Sequence, residues 1–309
     1  MSGGGMQDLL ESTTGAEISP TAKLTADLRR HSDIPFADVI AELTDAASFA
    51  RGMPGGGMPP DVRRWMAPLV EARYKCLSSA IEQAQVSQVL EFASGFAFRG
   101  VAMAVRSSLL YVETDLPEIH QTRQALRTTL ERTGSLPQSD RCLVAAVDML
   151  SQDDVDKAAE LLRPGEPVAI VHEGILPYLS ADEKHVAASN IARLLRRFGG
   201  VWLTPDFKSG NDSIERLWQS ENAQMVGRYL GTSSGRTKPR DKSLSDEAKV
   251  LAFLAHHGLA GEKRSAVPDL DMLSSARNLS TSEDEQRAVQ SGLALWAIRC
   301  AGEKNDRGS

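Results

Sequence analysis

No apolar run in this 309-residue chain approaches the roughly 20 residues that a bilayer crossing requires. The opening stretch, Met1 to Pro20, is polar and rich in Gly, Ser and Thr. It lacks the apolar centre of a secretory signal and reads as a loose tail. Cysteine is scarce as well. Cys76, Cys142 and Cys300 lie far apart and form no CxxC or Cys/His spacing, which excludes a disulfide framework and the familiar metal motifs. Three scattered thiols fit a reducing, cytoplasmic setting. Excess positive charge is also missing: 35 basic against 41 acidic side chains give a net charge of −6. A nucleic-acid binder normally shows a basic stripe. The single short basic stretch, Arg236 to Lys242, reads as solvated surface. No Ser-His-Asp order and no phosphate-binding GxxxxGK[ST] loop is present. The expected partner is therefore a small molecule, with no nucleic acid, membrane or metal, and the expected state a monomer or homodimer.

What is present is a change of pattern along the chain. From Ala22 to Gln83 the signals are helical. Phe36, Val39, Ile40, Leu43, Ala46 and Ala47 follow the spacing of one amphipathic helix over 36–49. The segment RGMPGGGMPP, Arg51 to Pro60, interrupts it. A long helix, Asp61 to Gln83, follows with Pro68 as a site for a kink. Trp65, Met53, Met58 and Met66 suit either an apolar lid over a substrate or core packing.

From residue 88 the chain alternates. Short Val/Leu/Ile-rich runs at Gln88–Ala93, Leu109–Glu113, Cys142–Val147, Pro167–His172 and Val201–Pro205 are separated by helical stretches, Glu118–Thr133, Asp153–Leu162 and Ala181–Phe198 among them. Such alternation predicts βαβ units and a parallel sheet covered on both faces by helices, an α/β fold. After Lys208 the alternation fades. Asp212–Leu230 and Leu244–His257 read as helices, with a polar loop from Gly231 to Lys242 between them. Gly292–Cys300 reads as a late strand or a helix.

Ligands of open parallel sheets bind at the carboxyl ends of the strands. Acidic residues stand at four of these ends: Glu113 and Asp115, Asp148, Glu173 beside His172, and Asp206. The first end reads EFASGFAFRG, Glu91 to Gly100. A dinucleotide site wants GxGxxG, because glycines admit a bulky pyrophosphate to the helix start. Here only Gly95 is in register, with Ala93 and Phe98 at the other positions. S-adenosylmethionine (SAM) has no phosphate, so one glycine turn suffices for it. Glu113 and Asp115 follow Gly95 by about 20 residues, the spacing at which a carboxylate accepts ribose hydroxyls of NAD and SAM alike. Asp148 suits the exocyclic amine of adenine, and Met149 its ring. His172 reads either as a packed, hydrogen-bonded strand-end residue or as a base, and Glu173 either as a helix cap or as a ligand contact. His256 and His257 are expected near a helix end, where a protonated imidazole favours the dipole.

The run EARYK (Glu71 to Lys75), then VLEFASGFAFRG, YVETDLPEIHQTRQAL, VAAVDML, VAIVHEGILPYLS and GGVWLTPDF, resembles the leucine carboxyl methyltransferase superfamily. Within it the similarity is to the bacterial polyketide-type (tetracenomycin-type) O-methyltransferases, and it runs from Arg73 to Phe207. The resemblance implies a class I methyltransferase: a Rossmann-like, mostly parallel seven-stranded sheet whose last strand is antiparallel. It also implies an N-terminal helical lid over 21–86, a catalytic domain over 87–309 and a helical insertion at about 208–258. SAM is the implied cofactor and S-adenosylhomocysteine the product, with methyl transfer to a carboxylate or hydroxyl oxygen of a small molecule. By match, Arg73 pairs with the methionine carboxylate, Gly95 lines the cofactor, Asp115 holds the ribose, and Asp148 and Met149 contact adenine. Glu173 and Tyr178 stand at the reacting centre with His172. Arg99 matches a basic position where orienting the loop and contacting the ligand are equally open. Glu91, Ala93, Glu113 and Leu116 complete the cofactor set. Ala93 departs from the family, which has glycine there. An NAD-linked oxidoreductase and a SAM-binding protein without turnover are the rival readings.

Overall fold

In the computed structural model, residues 20–207, 212–233, 244, 246–264 and 273–302 are described. The expected N-terminal tail, save Pro20, and the basic loop Arg236–Lys242 lie outside them. Four helices open the described chain: α1 (Pro20–Arg29), α2 (Ala37–Leu43), α3 (Ala46–Arg51) and α4 (Pro60–Gln83). The single helix read over 36–49 is thus two. Thr44 explains the break: its hydroxyl donates back to the Ile40 carbonyl at 2.8 Å, and Asp45 then turns into the left-handed region at φ 49°, which Asp tolerates better than most residues.

α4 runs 24 residues through Pro68 without interruption. Proline has no N–H, so the carbonyl four residues earlier loses its helical partner. That carbonyl belongs to Arg64, and the Thr281 hydroxyl donates to it at 2.6 Å. A defect in one helix thereby becomes a fastener to a distant segment. Glu71, fully buried, makes a second fastener by accepting from the backbone N–H and hydroxyl of both Ser274 and Ser275 at 2.5–3.0 Å.

The alternating region forms β1 (Gln88–Phe92), α5 (Arg99–Arg106), β2 (Leu110–Asp115), α6 (Pro117–Arg132), β3 (Cys142–Ala146), α7 (Gln152–Ala159), β4 (Val168–His172), α8 (Ala181–Phe198) and β5 (Gly200–Thr204). α8 starts where the sequence says it should. Ser180 accepts from the Glu183 N–H while Glu183 reaches back to the Ser180 N–H, a reciprocal cap. Then come α9 (Asp212–Trp218), α10 (Glu221–Ser233), α11 (Glu247–His256), β6 (Leu259–Arg264), α12 (Ser274–Asn278), α13 (Glu283–Gly292) and β7 (Leu295–Cys300). The helix read over 212–230 divides at Gln219–Ser220.

The seven strands order as β3-β2-β1-β4-β5-β7-β6. β1 to β5 are mutually parallel, and β7 runs antiparallel between β5 and β6. The strand order reverses beside β1, where β2 leads one way and β4 the other, so the crevice for a ligand opens above their carboxyl ends. β6 had no hydrophobic signature. Its sequence LAGEKR carries three charges, as befits a strand paired on one side only.

Alternate residues of the strands feed two cores. On one face Val89, Tyr111, Val171 and Leu203 pack in the same hydrophobic cluster as Leu28, Val62, Trp65 and Leu77 of the N-terminal helices. On the other, Leu90, Val112, Ile170 and Trp202 meet Ala188, Ile191 and Leu195 of α8. The N-terminal helices are therefore continuous with the sheet core. Trp65, Met53, Met58 and Met66 take the packing role: all are buried, and Trp65 meets Trp218 edge-on at 4.9 Å. No helix of the described residues is long and apolar enough to cross a membrane.

Candidate active site

The loop after β1 is held open by three left-handed residues, Ala93 (φ 52°), Gly95 (φ 53°) and Phe98 (φ 48°). Its neighbour strand supplies the hooks. The Ser94 N–H and hydroxyl donate to the Thr114 carbonyl at 3.0 and 3.1 Å. Asp115 accepts from the Gly95 N–H at 2.7 Å on one oxygen and from the Leu116 N–H at 2.9 Å on the other. Burial raises the Asp115 carboxyl above the usual range, against the pull of those two N–H groups. Each carboxylate oxygen has a second lone pair, so both retain acceptor capacity.

Below this rim lies a layer of buried ions. Glu91, Arg99 and Glu113 are 2%, 0% and 0% exposed. Arg99 pairs with Glu91 at 3.2 Å and Glu173 at 2.6 Å, and donates to the Tyr74 carbonyl and Ser78 hydroxyl at 2.7 Å each. Burial alone would lower the pKa of the Arg99 guanidinium, but Glu91 and Glu173 outweigh it and raise it. Burial also pushes the Glu91 carboxyl up, against the attraction of Arg99, and Glu91 accepts from the Tyr111 hydroxyl at 2.9 Å. Glu113 takes the Gly100 N–H at 2.9 Å and Arg123 at 2.5 Å. A side chain at Gly100 would drive a Cβ to within 2.8 Å of Glu113 and 2.6 Å of Tyr111, so this glycine permits the helix to sit on the strand. Arg123 closes the circuit by donating to the Gly95 carbonyl.

Glu91 and Glu113, expected in the cofactor set, are instead buried and shape the loop from beneath, and Arg99 takes the loop-orienting role of its two readings. Arg123, which the sequence reading passed over, is the link between the ion layer and the loop. Its place in the run YVETDLPEIHQTRQAL was visible, but its direction was not.

The loop after β4 has its own organiser. Asp206, fully buried on its side chain, accepts from the N–H groups of Gly174, Ile175 and Leu176 at 2.7, 2.9 and 3.1 Å. It also meets Arg73 at 2.5 Å and His172 Nδ1 at 3.1 Å. Burial opposes its charge, yet His172, Arg73 and the Gly174 N–H hold its carboxyl well below the usual range. His172 is fully buried, and its Nδ1 also lies 3.2 Å from the Thr204 hydroxyl. Of its two readings it takes the packed, hydrogen-bonded one and not that of a catalytic base: its side chain has no exposed surface. Glu173 lies between Arg99 and Arg73, 3.6 Å from the latter, with 12% of its side chain exposed. Tyr178 is 44% exposed, on the short 3-10 turn Leu176–Tyr178.

Arg73, expected to anchor a ligand carboxylate, is thus already countered by Asp206 and Glu173, with 22% of its side chain exposed. Arg29 at the end of α1 is different. No carboxylate of the described residues lies within 4.0 Å of it, and its Nε is buried without a partner. Its guanidinium stands 6.0 Å from the centre of the Tyr74 ring and feels the charges of Glu173 and Arg99, while burial lowers its pKa. Nothing local in the sequence marked Arg29, because the contact joins α1 to residues far along the chain.

Ala93 and Gly95, Asp115 and Leu116, Asp148 and Met149, and Glu173 and Tyr178 thus stand at or after the carboxyl ends of the four adjacent parallel strands β1, β2, β3 and β4, beside a network of paired ions. The leucine carboxyl methyltransferase family matches residues 42–192, a segment that carries the EARYK helix and the ends of β1 to β4. This segment is similar to that methyltransferase family.

The cofactor of this methyltransferase is SAM, and the residues present fit it. A Cβ at Gly95 or at Gly174 would meet nothing within 4 Å, so the loops after β1 and β4 border open space. Asp115, expected at the ribose, keeps acceptor capacity; Asp148 and Met149, expected at the adenine, are half-buried and 4% exposed, and Asp148 accepts from the Leu150 N–H at 2.9 Å. Among solved structures, the chain is similar to a DUF574-family protein from Streptomyces avermitilis, with a TM-score of 0.54 and 16% identity over 94% of this chain and 99% of that one. This likeness shows the α/β fold. Weaker likenesses include mitomycin 7-O-methyltransferase MmcR (TM-score 0.47, 14% identity, 94% of this chain, 62% of that one) and a Synechocystis magnesium protoporphyrin IX methyltransferase with bound SAM (TM-score 0.44, 10% identity, 81% and 88%). No curated protein matches the chain.

Proposed function

We propose that this chain is an O-methyltransferase whose acceptor is a carboxylate of a small molecule. The observation that carries the choice of oxygen is that His172 and Glu173, two of the three base candidates at the strand ends, are already engaged by neighbouring groups. His172 is buried on Asp206 and Thr204. Glu173 is engaged by two guanidiniums. A hydroxyl acceptor must lose a proton to such a group as it reacts. A carboxylate is already ionised at neutral pH and requires none. Location in the cytoplasm and action on a small molecule complete the reading.

SAM supplies a methyl group on a positively charged sulfur. The work of the chain is then alignment and exclusion of water. Asp115 orients the ribose while fixing the Gly95 turn through the N–H it already holds. Asp148 and Met149 set the adenine. Arg29 and the exposed edge of Arg73 hold carboxylates above Glu173. Tyr178, on its turn beside the β4 loop, is placed to orient the acceptor.

The test is tritiated-methyl transfer from SAM to two acceptor panels, carboxylic acids and phenols or alcohols. A carboxylate acceptor yields an ester, which releases labelled methanol under mild base, whereas an ether does not. Base-stable label, or label transferred only to the hydroxyl panel, overturns the proposal.

A further inference from the structure

Far from the crevice residues in sequence, three histidines converge on the outer side of α8. His185 lies on α8, and His256 and His257 end α11 at its junction with β6. The chain has six histidines in all, so half of them meet at this one spot. One ring nitrogen from each lies within 4.8 Å of the others. No sequence motif announces the cluster, because 72 residues separate His185 from His257.

The rings are positioned. His185 Nδ1 and His257 Nε2 are 2.9 Å apart. The Ser189 hydroxyl lies 3.2 Å from the other nitrogen of His257, Nδ1. When that hydroxyl accepts the Nδ1 proton, the Nε2 lone pair of His257 points toward His185, the outer contact that orients imidazole ligands in metal sites. Phe253, 8% exposed, packs against His185 and His257 at 4.9 and 5.2 Å and forms an apolar floor. His256 meets both rings edge-on at 5.3 and 5.1 Å. Moving the His185 proton to its Nε2 frees Nδ1 as a second ligand. Three nitrogens on one ion at about 2.0–2.1 Å stand roughly 3.3 Å apart in tetrahedral geometry, so closing from the observed spread takes only side-chain rotation.

We propose that His185, His256 and His257 form a binding site for a divalent transition metal of the zinc class. Three neutral imidazoles with no carboxylate or thiolate select zinc, nickel or copper over magnesium and calcium. The fourth position faces solvent and takes water. The bound ion clamps α11 and the start of β6 onto α8, tying the outer edge of the sheet to the helix layer. Arg196 donates to the His257 carbonyl at 3.3 Å, a nearby cation that keeps the affinity below that of a closed four-ligand site.

The experiment uses the full chain without a polyhistidine tag. Zinc titrated by calorimetry is expected to bind at one equivalent, cobalt to give the visible absorption of a tetrahedral site, and magnesium to give neither. His185→Ala and His257→Ala are expected to abolish both signals while leaving circular dichroism and SAM affinity unchanged. Ser189→Ala is expected to weaken zinc about 10- to 100-fold. Zinc should raise the melting temperature of the parent chain but not of the two histidine variants. Sub-stoichiometric binding, or full binding that survives both histidine substitutions, overturns the proposal.

Discussion

Arg73 and Asp206 meet at 2.5 Å, joining the long N-terminal helix to the end of β5 directly beneath the loop that carries Glu173 and Tyr178. Asp206 is therefore a structural centre. Removing it leaves a guanidinium and three loop N–H groups without their acceptor. Breaking a buried ion pair on one side costs about 3–5 kcal/mol. Asp206→Ala is expected to lower the urea midpoint accordingly and to loosen the 173–178 loop, seen as faster amide exchange there. The acid limb has a definite sign. The folded-state carboxyl of Asp206 is depressed, so its stabilisation is complete above the unfolded value of about 3.9 and is lost as pH falls from there toward the folded value. Asp206→Asn should flatten that part of the stability curve.

Arg29 and Arg73 make contrasting claims on a ligand carboxylate. Arg73 is balanced by protein carboxylates, and Arg29 is not. Arg29→Gln is expected to reduce SAM affinity by roughly ten- to a hundredfold, since hydrogen bonds to charged groups contribute about 1.5–3 kcal/mol. Arg73→Lys should lower it less, and through loss of the planar fork rather than of charge. Binding of 5′-methylthioadenosine, which lacks the carboxylate, should be indifferent to Arg29→Gln. Calorimetry with both ligands checks the pair. Equal losses for both would place Arg29 in the fold and not at the methionine end.

Much of the fold was legible because β1, β2, β4 and β5 are short runs buried on both faces, the edge strand β3 still reads CLVAA, and periodic helices lie between them. β6 was not, since an edge strand reading LAGEKR has no apolar alternation to betray it. The positions of the acidic strand ends were equally readable, but their directions were not. Glu113 and Asp115 stand two apart on one strand, where neighbouring side chains alternate with period two and so share a face. Nothing in that pattern separates the residue spent on Arg123 from the one at the rim. The distinction comes from Arg123 on α6, a tertiary contact. Arg29 was invisible for the same reason.

The two carboxylates should behave differently when changed. Asp115→Asn keeps an acceptor for one backbone N–H but loses the charged partner of the ribose hydroxyls, so SAM affinity should fall by roughly ten- to a hundredfold in a folded protein. Glu113→Gln strands the buried Arg123, and the expected loss is in stability, about 3–5 kcal/mol. Chemical denaturation and SAM titration on both variants separate the roles. Loss of stability without loss of affinity at Asp115 would move the ribose contact elsewhere.

Ala93 offers a test of strain at the cofactor loop. It sits at φ 52°, in the left-handed region, where an L-residue with a Cβ is disfavoured by about 1–2 kcal/mol. Its neighbours enforce that conformation, because the Ser94 N–H and hydroxyl both bond the Thr114 carbonyl and Asp115 holds the Gly95 N–H. Glycine at this position removes the steric cost but adds freedom to the unfolded chain, which opposes it by about 0.4–1 kcal/mol. The steric term is the larger, so Ala93→Gly is expected to raise stability by up to about 1.6 kcal/mol, read as a small rise in the denaturation midpoint. The same change takes a methyl group from a half-buried position at the crevice, so SAM affinity should hold or rise. A destabilised Ala93→Gly variant would mean that the methyl packs to better effect than its strained backbone costs, and that the departure from glycine at this position is itself a stabilising feature of the loop.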